Sequence, residues 1–429
     1  MTFELHFQTM LYWSQGTVET IWDISPMQQH MTRVAMRRSR HSSPKARVND
    51  CGILPSTGCA HSWCDKEGPV EQRLMIQEVR ETVSVLERLG HEEGPSIEGI
   101  GQRFAAIDPD VVIESGRGTS DHACMYGQYL IESLLRIPVA LALGSLYTNY
   151  GLPPRMRRGA VIAISQSGET EDVCRVAEQA VKDGTFTVGV MNVQGSTLDR
   201  TVAPNSLFLR AGPEKSVAAT KTFTASLAAL LLLVHAIRGD TFDIGTVLEC
   251  LGGIVEREEE VRQQALRYTF TDDFVVLGTG YCYANALEGA LKLKETCYIN
   301  AQGLSSVDLI HGPLAVLNPD LPVIMFAPND ACLDLNIAVL ERIKSTRAHV
   351  LVVSDSDRAL QYGDIAFRIP DADPTVYPLE NALFAQLFAY SLSIARKLNP
   401  DKPRFLHKIS LVQDDERRAG NPDADTLHP

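Results

Sequence analysis

Two tandem α/β units, each a parallel sheet with helices on both faces, are the fold class that this sequence predicts. Short β-branched runs alternate with longer helical patterns, as in βαβ units. The alternation occurs twice. The two series superpose at one constant offset of 162 residues, which carries Gly116 onto Gly278, Gly118 onto Gly280, Val188 onto Val350 and Val190 onto Val352. A gapless register through strands and turns argues for duplication rather than two unrelated domains.

Along the chain, residues 1–70 hold all three tryptophans and a basic run from Arg33 through Arg37, Arg38, Arg40, Lys45 and Arg47, without sustained periodicity. A poorly ordered extension is expected there, or translation from a start upstream of the native one. Met1 to Trp13 alternates and includes Glu4 and His6, which is not a signal peptide. Helical spacing begins at Met75 and continues through Ile76, Val79, Val83, Leu86 and Leu89. Residues 75–247 are assigned to the first unit, with strand-like runs Val111–Ile113, Ala160–Ile164 and Thr187–Met191. Residues 248–400 form the second, with Phe274–Leu277, Val323–Phe326 and Val350–Val353, after a charged helical stretch between Leu248 and Leu266. Residues 401–429 are a C-terminal tail.

Composition narrows the function. The chain has 429 residues, 45% hydrophobic and 22% charged, which is globular and enzyme-sized. With 40 basic and 53 acidic residues its formal net charge is −13, so no broad field draws nucleic acid, and any anion must be held locally. The most apolar stretch, Leu227–Val234, is too short and interrupted for a membrane span. The nine scattered cysteines include no CxxC pair, which argues against a disulfide framework and a zinc site and is consistent with the cytosol. No metal or other cofactor is expected.

One turn points to an anion. Ser165-Gln166-Ser167-Gly168-Glu169-Thr170 follows an apolar strand and precedes the helical pattern Val173, Val176, Ala177 and Ala180. Ligands of open parallel sheets gather at the carboxyl ends of the strands, and a helix N-terminus there favours negative charge. Gly118-Thr119-Ser120 adds donors at the end of the preceding strand. A lone Ser or Thr at such a turn commonly caps the helix. In the sister repeat, however, Ala327-Pro328-Asn329-Asp330-Ala331-Cys332 has lost the hydroxyls, so the two halves divide their labour and the first is read as phosphate-binding.

Candidate chemistry falls in the second half and the tail. Glu288, Lys292 and Glu295 share one face of a helical run, either as a solvated salt-bridged face or facing a cleft. His311 lies in Asp308-Leu309-Ile310-His311-Gly312-Pro313-Leu314, and Lys408 in Pro403-Arg404-Phe405-Leu406-His407-Lys408. A carboxylate and an imidazole beside a sugar phosphate would serve aldose–ketose proton transfer and ring opening. A shielded lysine could form a Schiff base; an exposed tail lysine is the plainer alternative.

Together these segments, from about Met75 to Val412, resemble the sugar isomerase (SIS) family, and within it the isomerase half of glucosamine-6-phosphate synthase and its deaminase relatives. The resemblance also covers Gly212-Pro213-Glu214 through Val217-Ala218-Ala219-Thr220-Lys221. It implies two flavodoxin-like three-layer domains. It implies that Ser120, Ser165, Gln166, Ser167 and Thr170 bind the sugar phosphate, with Val217 and Ala218 lining the sugar; Gly118, Thr119 and Lys292 are further candidate substrate-binding residues. It further implies Glu295 for proton transfer, His311 for ring opening and Lys408 for the open-chain carbonyl. A homodimer with shared active sites follows, His311 serving the neighbouring chain. The sequence departs from the synthase pattern at Ala219 (serine there), Asn300 (commonly histidine), Ile310 (lysine) and His407 (a small residue). Some seventy residues are too few for the synthase's glutaminase domain, so glutamine-dependent amination is not expected. The expected activity is therefore conversion of glucosamine 6-phosphate and water to fructose 6-phosphate and ammonia. Alternatives are a galactosamine-6-phosphate deaminase, a deglycase of fructosamine-6-phosphate type, or a regulator that binds a sugar phosphate without chemistry.

Overall fold

The computed structural model of the protein describes residues 73–408. The expected N-terminal extension and the tail past Lys408 lie outside the described residues.

The first half carries β1 (Val111–Ser115), β2 (Val139–Leu141), β3 (Gly159–Ile164), β4 (Phe186–Met191) and β5 (Ser206–Phe208). The second carries β6 (Asp273–Gly278), β7 (Asn300–Ser305), β8 (Val323–Phe326), β9 (Val350–Ser354) and β10 (Ile365–Arg368). All pairings are parallel, in the orders β2-β1-β3-β4-β5 and β7-β6-β8-β9-β10, so both sheets wind identically. This is the predicted architecture, including its duplication. Every run named from the sequence lies within a strand. The four edge strands β2, β5, β7 and β10 add to them.

Parallel strands covered on both faces should be apolar throughout, and β3 and β9 are buried along their whole length. The pleat then divides the core. Ala160, Ile162 and Ile164 of the first sheet and Phe274, Val276, Ile324 and Phe326 of the second turn into one shared cluster. Val161 and Ala163, and likewise Val275, Leu277 and Met325, turn outward into smaller cores. Helices Thr82–Ile107, Lys221–Arg238 and Tyr377–Ala395 contribute buried residues to the shared cluster.

The pattern beginning at Met75 is two helices, Leu74–Arg80 and Thr82–Ile107, and Val85 joins Leu86 and Leu89 in the interior while Val83 is half-buried. Helix Lys221–Arg238 is long and apolar enough by length and composition to cross a membrane, but most of it is buried inside the fold.

Candidate active site

The loop after β3 stays tied to β4 at Ser165 and then closes on itself at Gly168. Ser165 N–H donates to Val190 O (3.0 Å), and Gly168 N–H donates to both Ser165 O (3.0 Å) and Ser165 Oγ (3.2 Å). Gly168 has φ +68°, and a Cβ there would fall 2.1 Å from Ser196 Oγ, so only glycine fits. Glu169, the loop's one acid, is drawn aside by Thr197, whose N–H and Oγ1–H both donate to it at 2.7 Å.

Thr170 occupies the N-cap of helix Glu171–Lys182 without a side-chain hydrogen bond to that helix, its hydroxyl lying 3.0 Å from Ser165 Oγ instead. Gly118, at the N-cap of helix Thr119–Leu130, supplies no side-chain cap either. Two helix N-termini are thus left without side-chain caps, following β1 and β3 of one sheet, a setting that favours an anion.

These turns open on a cavity of about 280 Å³, at the small end of ligand sites. Thr119, Ser120, Gln166, Ser167 and Thr170 line one side; Val217, Glu295 and Lys408 line it as well. The remaining expected residues lie otherwise. Ser165 is buried behind the loop and holds Thr170 and Gly168. Gly118 acts through backbone shape. Ala218 is buried, and its neighbours Val217 and Ala219 face the cavity instead, as alternate residues of an extended turn do. His311 is exposed and does not line the cavity. Lys292 is fully buried beneath the cavity rather than in it.

Lys292 has a different task. Its Nζ donates to Glu295 Oε2 (2.5 Å) and lies 3.3 Å from Glu288 Oε1, so the triplet is a buried ion network and not a solvated helix face. Burial alone would lower the pKa of the Lys292 ammonium, but the two carboxylates outweigh it and hold it above the usual lysine range. Glu288 also accepts from Thr119 Oγ1 (3.1 Å) and pairs with His122 Nδ1 (2.7 Å). Burial would raise its carboxyl, yet Lys292 and His122 bring it below the usual value. Glu288 on helix Tyr283–Cys297 therefore ties the second repeat to helix Thr119–Leu130 of the first, and Lys292 orients Glu295 toward the cavity.

Lys408 arrives by a strapped tail. Asp401 accepts from the N–H groups of Leu74 and Met75, both at 2.8 Å, capping helix Leu74–Arg80, and Arg404 N–H donates to Tyr298 Oη at 2.9 Å. Lys408 Nζ then donates to Glu214 Oε2 and Ser216 O, each at 2.7 Å. Buried Glu214 also accepts from Thr220 N–H (3.0 Å), Thr222 N–H (3.2 Å) and Thr222 Oγ1 (2.8 Å). Burial pushes its carboxyl up, but Lys408 and these donors prevail and keep it below the usual range.

Arg117, Thr222, Phe223, Ser226 and His407 also line the cavity, beyond the residues expected from sequence. The signal for Arg117 was its place directly before Gly118-Thr119-Ser120. That for Glu214 was its place in the Gly212-Pro213-Glu214 turn.

The SIS domain family matches this chain at residues 108–236 and 272–396. The isomerizing glutamine–fructose-6-phosphate aminotransferase of Pyrococcus horikoshii is 35% identical over 312 residues, 71% of this chain and 52% of that protein. The enzyme of the same name from Methanothermobacter thermautotrophicus is 35% identical over 344 residues, 79% of this chain and 57% of that protein. The chain thus spans about half the length of these curated relatives. Two solved structures share the fold. The C-terminal domain of glucosamine-fructose-6-phosphate aminotransferase from Francisella tularensis has TM-score 0.69 and 23% identity, covering 78% of this chain and 99% of that one. Glucosamine-6-phosphate deaminase from Thermotoga maritima has TM-score 0.62 and 22% identity, covering 78% and 99%. With two matched segments on two identically wound sheets, the chain belongs to the SIS domain family.

Proposed function

We propose that the protein is an amino-sugar phosphate deaminase, converting glucosamine 6-phosphate and water to fructose 6-phosphate and ammonia. The reading rests on one observation: Glu295 and Lys408 open into the same cavity as the uncapped phosphate loop. The loop takes the phosphate and fixes the sugar's far end. Glu295 takes the proton from C2 of the open-chain aldose and returns it to C1, leaving an imine at C2. The Lys408 amine adds to that carbon as ammonia leaves, and water releases the ketose and frees the lysine. Glu214 keeps Lys408 in place between turnovers. His311, exposed and outside the cavity of its own chain, acts in the cavity of a second copy.

A second reading is carried by the curated relatives, which are named aminotransferases: the same steps run backward, aminating a ketose phosphate when ammonia is supplied. Incubation with glucosamine 6-phosphate should release ammonia and fructose 6-phosphate in equal amounts. If neither glucosamine nor galactosamine 6-phosphate yields ammonia while both bind, the non-catalytic regulator is the better description.

A further inference from the structure

The phosphate loop itself is built of neutral donors, and one charged residue at its rim has no task in the proposed reaction. Arg117 follows β1 at Gly116 and lines the cavity together with Ser120, Ser167 and Thr170. Its guanidinium is held from the side: Nε and Nη2 donate to Asp172 Oδ2 at 2.8 and 2.7 Å, and Nη1 donates to Gly116 O at 3.2 Å. A guanidinium has five N–H donors. These contacts engage three, so two remain for a ligand.

The pair occupies space made for it. A Cβ on Gly144 would lie 2.1 Å from Arg117 Nη2 and 2.7 Å from Asp172 Oδ2, although the backbone of Gly144 (φ −52°, ψ −34°) suits any residue. The sister repeat keeps only the acid: Asp334 stands at the position of Asp172, whereas Ser306 stands at that of Gly144. Thr279 stands at the position of Arg117 and Asp330 at that of Gly168, and Asp330 is pushed above the usual range, chiefly by burial with Asp355 adding to it. The first crevice carries a guanidinium where its twin carries a hydroxyl.

We infer that Arg117 is the charged phosphate ligand of this site, positioned by Asp172 in a niche that Gly144 leaves open, and that it selects phosphorylated over unphosphorylated sugars. This rests on the sugar-phosphate reading of the cavity. Asp172 Oδ2 holds the fork edge-on, leaving Nη1 and Nη2 hydrogens for phosphate oxygens, a geometry that lysine cannot copy.

The test is calorimetric titration of the full chain with glucosamine 6-phosphate, inorganic phosphate and glucosamine. Arg117→Met should weaken both phosphate-bearing ligands by about tenfold or more and leave glucosamine unchanged. Its melting temperature should stay near that of the wild type, because the Arg117–Asp172 pair is solvent-exposed. Gly144→Ala keeps every charge but drives the guanidinium aside, so it should weaken the same two ligands, and Arg117→Lys should fall between wild type and Arg117→Met. Wild-type affinity in Arg117→Met for both phosphate-bearing ligands would overturn the inference. A wild-type protein that binds neither would overturn the sugar-phosphate reading itself.

Discussion

Lys292 shows how a single residue can matter to a site it does not enter. Its ammonium sits between Glu288 and Glu295, with no exposed surface of its own. Removing one partner of a buried charge network costs far more than the network's net worth, because the remaining charge stays buried and uncompensated. Lys292→Met should therefore lower stability by about 3 kcal/mol in denaturant titration. The double variant Lys292→Met/Glu288→Gln should recover part of that loss, and an unchanged unfolding midpoint in the single variant would refute the network. From sequence, the triplet's spacing was visible but its burial was not. The deciding neighbours, Thr119 and His122, come from the other repeat, 169 and 166 residues away.

At the scale of elements, the loop after β3 and the helix it feeds were legible because an apolar strand, a glycine turn and hydroxyls stand in direct succession. The edge strands were not. β7 reads Asn-Ala-Gln-Gly-Leu-Ser, and β2 and β5 have three residues each, too polar or too brief for a periodicity to declare itself. Helix Tyr377–Ala395 holds a further element-level consequence. Glu380 lies inside it fully buried, with the Cys250 thiol as its hydrogen-bond partner and no N–H or O–H donor for either oxygen among the described residues. Burial, with Asp355 and Asp371 adding to it, raises its pKa from 4.5 to about 8. The folded state then keeps a proton that the unfolded chain releases above about pH 4.5, so this carboxyl subtracts stability as pH rises through that interval and levels off past about 8. Glu380→Gln should accordingly raise the melting temperature at pH 8 more than at pH 5. Equal shifts at both values would contradict the assignment.

The whole molecule is two copies of one winding sharing a core, and the constant offset of 162 residues makes that duplication visible in the sequence alone. The copies have diverged in charge: the first keeps glycine, hydroxyls and Arg117, while the second keeps the helix bearing Glu295. What the sequence could not convey was the tail's path, because the strap at Asp401 onto helix Leu74–Arg80 joins opposite ends of the described chain. His311 stays outside its own chain's cavity, where the resemblance to the family already put it. Under the proposed dimer with shared sites, mixing inactive Glu295→Gln and His311→Ala subunits, with exchange allowed, should restore activity through sites carrying both wild-type groups. Mixtures that stay inactive after exchange would show that His311 does not act across subunits.

Under the proposed function the loop after β3 binds the phosphate while Glu295 moves the proton. This division is tested most directly by measuring both properties in one variant, Glu295→Gln, with glucosamine 6-phosphate as ligand. Affinity should stay within a few-fold of wild type while ammonia release slows by about a hundredfold or more, the scale expected for loss of a positioned general base. Ammonia release at the wild-type rate from that variant would contradict it.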